Sequence, residues 1–200
     1  MTEAAWLIFF FLMAVSAKGG SEPAPAPPGP PRRRVGPMGQ GRPIAHTFSG
    51  NATAWALSRW NIAKAMLAPL GSARPDLDID EIATSVVTHW AIETDWGSDE
   101  YNFNLGGIHA NPGEAYFQST DAGKPAKFAA YDSIEGGAKA YGDLLQGRYR
   151  PCAIKLLADP ESADWYVCLG SMGYYGKPSF DVASMFLGTR KRVAAAVAIK

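Results

Sequence analysis

Asp78–Trp96 reads DIDEIATSVVTHWAIETDW, and how this stretch folds decides how the rest of the chain is arranged. Asp78 followed three residues later by Glu81 has the spacing of a helix start. At about 100° per residue, Ile79, Ile82, Val86 and Trp90 form one apolar stripe. Glu93 falls within that stripe, where the pattern calls for an apolar side chain. A carboxyl group there is partly desolvated, and it sits in the last helical turn, at the negative end of the dipole. Both effects disfavour the anion. A carboxyl that keeps its proton near neutral pH is what acid-assisted bond cleavage asks of a general acid. A lone glutamate can equally close a helix end or pair with an Arg or Lys from elsewhere, so the surrounding sequence has to decide.

Outward from this helix, periodicity predicts further helices at about 51–68, 133–147, 151–158, 161–171 and 179–198, with the central one running over 79–96. Asn51, Asp78 and Ser133 are the candidate start caps. Ala115–Thr120 and Ala126–Tyr131 are suited to pair as a hairpin about the turn Asp121-Ala122-Gly123-Lys124. The expected fold class is α+β and mostly helical, a helical lobe with a small β-hairpin lobe and a groove between them, over residues 48–200. Two hundred residues suffice for one such core plus an appendage. Nineteen basic and nineteen acidic residues give a formal charge of zero, which leaves no basic field to attract nucleic acid. Cys152 and Cys168 fall in neighbouring helical segments. A disulfide and two buried thiols are both open readings, and zinc-ligand spacing is absent.

The appendage is N-terminal. Ala4–Ala17, AAWLIFFFLMAVSA, is an apolar run of about fourteen residues, short of the roughly 17–25 that a membrane helix needs. It has the length of a signal-peptide core, and Val15-Ser16-Ala17 offers a cleavage site, although Glu3 precedes it and Lys or Arg does not. Residues 1–17 therefore read as an anchor or a signal. Residues 18–47 hold more than half of the fifteen prolines and favour an extended linker. At ~3.1 Å per residue it would span up to ~90 Å. Lys18 and the Arg32–Arg34 triplet lie on the C-terminal side of the apolar run, and positive charge tends to stay cytoplasmic. An uncleaved anchor would then fit a phage virion with an internal membrane, whose protein neighbours would be virion proteins. A cleaved segment fits a secreted or periplasmic enzyme of a bacterial envelope. The expected location is membrane-associated in the first case, with the membrane as a partner.

Several motifs carry a family resemblance. Glu93-Thr94-Asp95-Trp96-Gly97 followed by Asn102-Phe103-Asn104-Leu105-Gly106-Gly107-Ile108-His109-Ala110 resembles the E-S-x-W-G … N-N-L-F-G-I-K signature of the glucosaminidase family of peptidoglycan hydrolases. Flagellar wall-opening enzymes, bacterial autolysins and phage lysins belong to it. Phe128–Glu135 resembles its F-R-x-Y-x-S-x-E segment. Leu144-Leu145 with Gly147-Arg148-Tyr149 resembles its L-L-x-x-x-x-Y stretch, and Gly173-Tyr174-Tyr175 its late G-Y-A-T-D. The match runs in order over about residues 50–198. It departs at Gly106, where the family has Phe, at His109, where it has Lys, and at Tyr175-Gly176-Lys177-Pro178, which leaves the register of the late tyrosine open by one residue.

The resemblance implies a lysozyme-like fold and cleavage of peptidoglycan glycan strands, as an endo-β-N-acetylglucosaminidase with Glu93 as general acid and no cofactor. It also implies Tyr174 in the cleft, with the substrate's own N-acetyl group helping to displace the leaving oxygen. The aromatic load is heavy, with six Trp, eight Tyr and nine Phe. About half are core, while Trp96, Tyr101, Tyr116 and Tyr175, together with Asn104, are candidates for sugar contacts. Glycoside hydrolysis generally uses two carboxyl groups. Glu114, at the start of the first strand, is the better second candidate, ahead of Asp121 in the turn. Asp132 reads as a cap. His89 and Glu93 share a helix face at i, i+4 and could join His109 around a metal, but a second helix-borne pair is missing and no metal is expected. A muramidase or lytic transglycosylase on the same fold is the alternative. From another class comes a wall-binding or virion structural module without catalysis, against which the retained Glu93 argues.

Overall fold

The computed structural model describes residues 41–121, 124–175 and 181–198. The apolar run 4–17, the linker up to residue 40 and Lys177-Pro178 lie outside the described residues. The elements are α1 (Ala52–Ala73), α2 (Ile79–Glu93), a single 3₁₀ turn (Asp95–Gly97), β1 (Tyr116–Asp121), β2 (Lys124–Ala129), α3 (Ile134–Gln146), α4 (Arg150–Ala158), α5 (Asp164–Ser171) and α6 (Val182–Val197). Among the described residues, no helix is long and apolar enough to cross a membrane.

The three expected caps are in place. Asn51, Asp78 and Ser133 accept from the backbone N–H groups of Ala54, Glu81 and Gly136 at 2.9, 3.0 and 3.1 Å, each satisfying one orphan donor of a first turn. α1 does not stop before Pro69 but continues to Ala73. Its last turn is held from outside, because Gly71 lies flat against Ile79, and a Cβ at 71 would come within 2.7 Å of the Ile79 Cγ1.

α2 is the axis of the helical lobe. Its apolar stripe is present, with Ile82, Val86 and Trp90 buried, but every residue from Ile82 to Ala91 is buried as well. The helix is wrapped by α1, α6 and α4, so its polar residues need internal partners. Thr84 and Thr88 donate to the carbonyls of Asp80 and Thr84 one turn back, both at 2.8 Å, and Ser85 donates to the Pro160 carbonyl. Trp55, Trp90, Trp165, Tyr141 and Phe186 fill the space around them.

The helix ends at Glu93, three residues before the expected Trp96. Asp95 and Trp96 take left-handed backbone at φ 43° and 56° and reverse the chain. Gly97 completes the reversal at φ 91°, and a Cβ there would come within 2.2 Å of the Trp55 ring, so only glycine fits. Past this turn lies Glu100, wholly buried. Its carboxylate accepts from Trp55 Nε1 at 2.8 Å, Arg59 Nε at 2.8 Å, Arg59 Nη2 at 2.5 Å and Thr47 Oγ1 at 2.6 Å.

The β lobe is the expected hairpin, antiparallel from Tyr116↔Ala129 to Asp121↔Lys124, with Phe117 stacked on Phe128 at 5.7 Å. Both strands start or stop within two residues of the expected bounds. Residues 41–47, whose composition places them in the linker, pair with the domain. Gly41 bridges Tyr116, His46 bridges Tyr101, and the Thr47 N–H donates to the Glu100 carbonyl at 3.1 Å. The open question of the cysteines is resolved as a disulfide, Cys152–Cys168, joining α4 to α5.

Candidate active site

Glu93 ends α2 with its side chain about 20 % exposed, at the margin of the core rather than in it. The chain returns to it through the loop after the 3₁₀ turn. That loop is shaped from within by Asn104, whose amide accepts from the Ile108 N–H at 2.8 Å and donates to the carbonyls of Ile108 at 2.8 Å and Ala129 at 3.0 Å. The loop thereby brings Gly106 and Gly107 against the carboxyl. Gly107 has φ 60°, and a Cβ there would stand 2.8 Å from Glu93 Oε2. A side chain at 107 would press on that oxygen, and the glycine lets the loop pass close to it.

The other carboxyl oxygen faces inward. Glu93 Oε1 lies 3.3 Å from His89 Nε2, one turn back on the same helix. His89 is fully buried, and its Nδ1 lies 2.6 Å from the Tyr141 hydroxyl of α3. Rings of Tyr141, Trp165, Tyr166 and Tyr174 meet the imidazole edge-on at 4.9–5.7 Å.

Tyr174 sits beside this group. Its hydroxyl donates to the Gly106 carbonyl at 2.5 Å, and a Cβ at position 106 would collide with that hydroxyl and with the Tyr141 ring, each at 2.7 Å. Gly106 therefore has no room for the phenylalanine that the resemblance would put there, because two tyrosines already fill the volume. Burial pushes the phenols of Tyr141 and Tyr174 well above their ordinary range, and the nearby Glu93 carboxyl raises both further. Tyr166 is raised by burial first and Glu93 second. Tyr131 is raised by burial and then by Glu114.

The sequence-derived candidates separate into two groups. Glu93 and Tyr174 come together across Gly106-Gly107. Tyr175 adjoins them, raised chiefly by burial and slightly by Glu93, but its hydroxyl donates to the Tyr166 carbonyl at 2.8 Å and its ring stacks on Tyr166. The others are engaged elsewhere. The Asn104 amide is spent inside its own loop. The Trp96 ring is covered by the Arg192 guanidinium at 4.4 Å and edged by Trp55. Tyr101 packs on His46 and donates to Asp99 at 3.1 Å, and Tyr116 carries the Lys127 ammonium over its ring at 4.2 Å. Glu114 is exposed and accepts from the Asn111 N–H at 2.8 Å and its amide at 3.1 Å, closing a local turn.

His89 was visible in the sequence by its i, i+4 spacing, though as a possible metal ligand. His109 belongs instead to the hairpin, bridging Phe128, and among the described residues no three His, Cys, Asp or Glu side chains cluster as a metal set would. Tyr141 and Tyr166 were not visible as site residues at all, since nothing local marks a tyrosine in an apolar stripe as a neighbour of a distant carboxyl.

No family model matches the sequence, and no curated protein matches it. A solved structure does match in fold, the crystal structure of a peptidoglycan hydrolase mutant from Sphingomonas sp. A1. The TM-score is 0.54 with 22% sequence identity, over 74% of this chain and 99% of that one. The chain thus has a mostly helical, lysozyme-like α+β fold, similar to that of the Sphingomonas hydrolase.

Proposed function

We propose that this protein is a peptidoglycan hydrolase that cuts the glycan strand of the bacterial wall, as an endo-β-N-acetylglucosaminidase, with Glu93 as the general acid. The observation that carries the reading is the asymmetry of the Glu93 carboxyl. One oxygen lies 3.3 Å from a buried imidazole, and the other lies against Gly107, next to the Gly106 carbonyl that accepts from the Tyr174 phenol. An acid must present one protonated oxygen to a leaving group while the rest of the carboxyl is held. The sequence motifs that flank Glu93 and the fold shared with a peptidoglycan hydrolase support the same reading.

In the proposed reaction Glu93 Oε2 gives its proton to the glycosidic oxygen as the C1–O bond breaks. The substrate's acetamido carbonyl oxygen closes on C1, and a water molecule then opens that ring and returns a proton to Glu93. This route needs one protein carboxyl. It agrees with Glu114 being tied into its own turn. The lytic transglycosylase alternative also needs one carboxyl and is favoured by the same observation, differing in that the muramic C6 hydroxyl closes on C1. The Cys152–Cys168 disulfide supports work outside a reducing cytoplasm, as the proposed wall substrate requires.

Digestion of purified walls followed by mass spectrometry tests the bond. A reducing N-acetylglucosamine end is expected. A reducing muramic end would make the protein a muramidase, an anhydromuramic end a lytic transglycosylase, and no released fragment would favour a binding module.

A further inference from the structure

The fully buried imidazole of His89 stands between two oxygens, the Tyr141 hydroxyl at 2.6 Å from Nδ1 and Glu93 Oε1 at 3.3 Å from Nε2. Those distances leave two arrangements of protons. In one, Tyr141 donates to Nδ1 and Nε2–H donates to Glu93. In the other, Nδ1–H donates to the Tyr141 oxygen, and Nε2 must take a proton from Glu93. The second arrangement turns the acid proton inward, away from Gly107. The first leaves Oε1 accepting whether or not Glu93 is protonated, so the mobile proton is confined to Oε2.

We infer that His89 is a positioning residue for Glu93. It is held as the Nε2–H tautomer by the Tyr141 hydroxyl, so it pins Oε1 and leaves the exchangeable proton on Oε2, the oxygen that faces Gly107. The assignment rests on the proposed role of Glu93 as acid and specifies how that acid is oriented. A buried imidazole whose tautomer is set by the hydrogen bond at its other nitrogen is a recurrent device. The surroundings here fit it. The groups facing the ring are Glu93 from α2, Tyr141 from α3, Trp165 and Tyr166 from α5 and Tyr174 beyond α5. None of these offers a cation or a second carboxylate to compete for either nitrogen. Tyr141 stays a phenol with a proton to donate, because burial and the Glu93 carboxyl both oppose its ionisation.

Two measurements on the full chain test the inference. The first is independent of activity: ¹⁵N spectra of histidine-labelled protein, with His89 identified among the three histidines by its loss in His89→Gln. The wild type is expected to show Nε2 protonated and Nδ1 bare, and Tyr141→Phe to show a tautomer mixture. A wild-type ring protonated at Nδ1 would overturn the assignment. The second is a double-mutant cycle on soluble glycan fragments. Tyr141→Phe keeps the ring and is expected to lower kcat about tenfold, the size of one hydrogen bond, with KM unchanged. His89→Gln places an amide N–H near the Nε2 position without a tautomer to control, so it should retain more activity than His89→Leu. Tyr141→Phe should then cost nothing further in the His89→Gln background. Equal losses in both backgrounds, matched by a lower melting temperature, would mean that Tyr141 only packs, and the inference would fail. Should Glu93→Gln remain active while the tautomer is as expected, the glycosidase reading fails and the hydrogen-bond assignment stands.

Discussion

Glu93 and Glu100 lie one either side of the same chain reversal, and the protein surrounds them in opposite ways. Glu100 is fully buried with Arg59 beside it at 2.5 Å, and four side-chain donors reach its two oxygens. Glu93 keeps about a fifth of its surface, and among the described residues its polar side-chain partner is a single imidazole at the long end of hydrogen-bonding distance. The Glu100 carboxylate has its lone pairs engaged and a guanidinium alongside. Glu93 instead has one oxygen beside a single imidazole and the other against Gly107. The difference teaches that burial alone does not make a carboxyl a candidate acid, since the more buried of the two is fully engaged in holding the fold together. Glu100 ties α1, the loop after α2 and the strap 41–47 together; Glu93 is met by Gly107 of that loop.

Removing the ion pair at Glu100 should produce the largest effect on stability. Glu100→Gln leaves the Arg59 charge buried without its partner, for which about 3–5 kcal/mol is expected. Urea unfolding reads this directly, and the fraction that remains folded should clear walls at the wild-type rate. A slowed but stable Glu100→Gln would mean that Glu100 shares in the chemistry and would erase the contrast with Glu93.

The disulfide sits on the Glu93 side of the comparison, since it ties α4 to α5, the helix that carries Tyr166 and leads to Tyr174. With a sequence separation of 16, replacing both cysteines by alanine should lower stability by about 3 kcal/mol. Activity should fall with it, as the tyrosines beside Glu93 lose their support. Unchanged unfolding in a reductant, with reduction verified by mass, would count against the bridge.

The phenols around Glu93 give that region a pH signature. Tyr141 and Tyr174 have folded-state values raised above that of the unfolded chain, so their contribution is fully present below about pH 10, the ordinary tyrosine value. Above it the unfolded chain sheds protons that the native protein retains. Stability then falls as pH rises, by up to about 1.4 kcal/mol per pH unit for each phenol. Alkaline unfolding with its onset near pH 10, followed by tyrosinate absorbance, is the expected result. Tyrosines that ionise near pH 10 with the fold intact would show that they are not buried as described.

Smaller effects distinguish the two late tyrosines. Tyr174→Phe leaves the Gly106 carbonyl without its donor, a loss of about 1 kcal/mol, and should slow turnover beyond what that destabilisation explains, because the hydroxyl fixes Gly106, the neighbour of the Gly107 that meets Glu93. Tyr175→Phe loses a bond to the Tyr166 carbonyl and should cost a similar or smaller amount of stability with turnover intact. Damage at Tyr175 and silence at Tyr174 would shift the motif register by one residue and move the second group of the site with it.

Much of this fold was legible because its signals are local. The caps at Asn51, Asp78 and Ser133, the stripe from Ile82 to Trp90, the hairpin about residues 121–124 and the placement of Glu93 each depend on residues within a turn or two of one another. What escaped depends on partners far along the chain. Nothing near Glu100 announces Arg59, 41 residues earlier, and nothing near His89 announces Tyr141, 52 residues later. Asn104, Trp96, Tyr101 and Tyr116 have side chains suited to sugar, but each has an internal partner that composition does not show. The end of α2 was misplaced by three residues because the left-handed turn at Asp95-Trp96 is imposed by Gly97 against Trp55, a tertiary contact.

The central claim is that Glu93, and not its better-paired neighbour, delivers the proton. Glu93→Gln, matched to wild type by circular dichroism and melting temperature, should clear purified walls at least ~100-fold more slowly, as loss of a general acid entails, while still binding glycan fragments. A folded Glu93→Gln that clears walls at close to the wild-type rate would contradict the account.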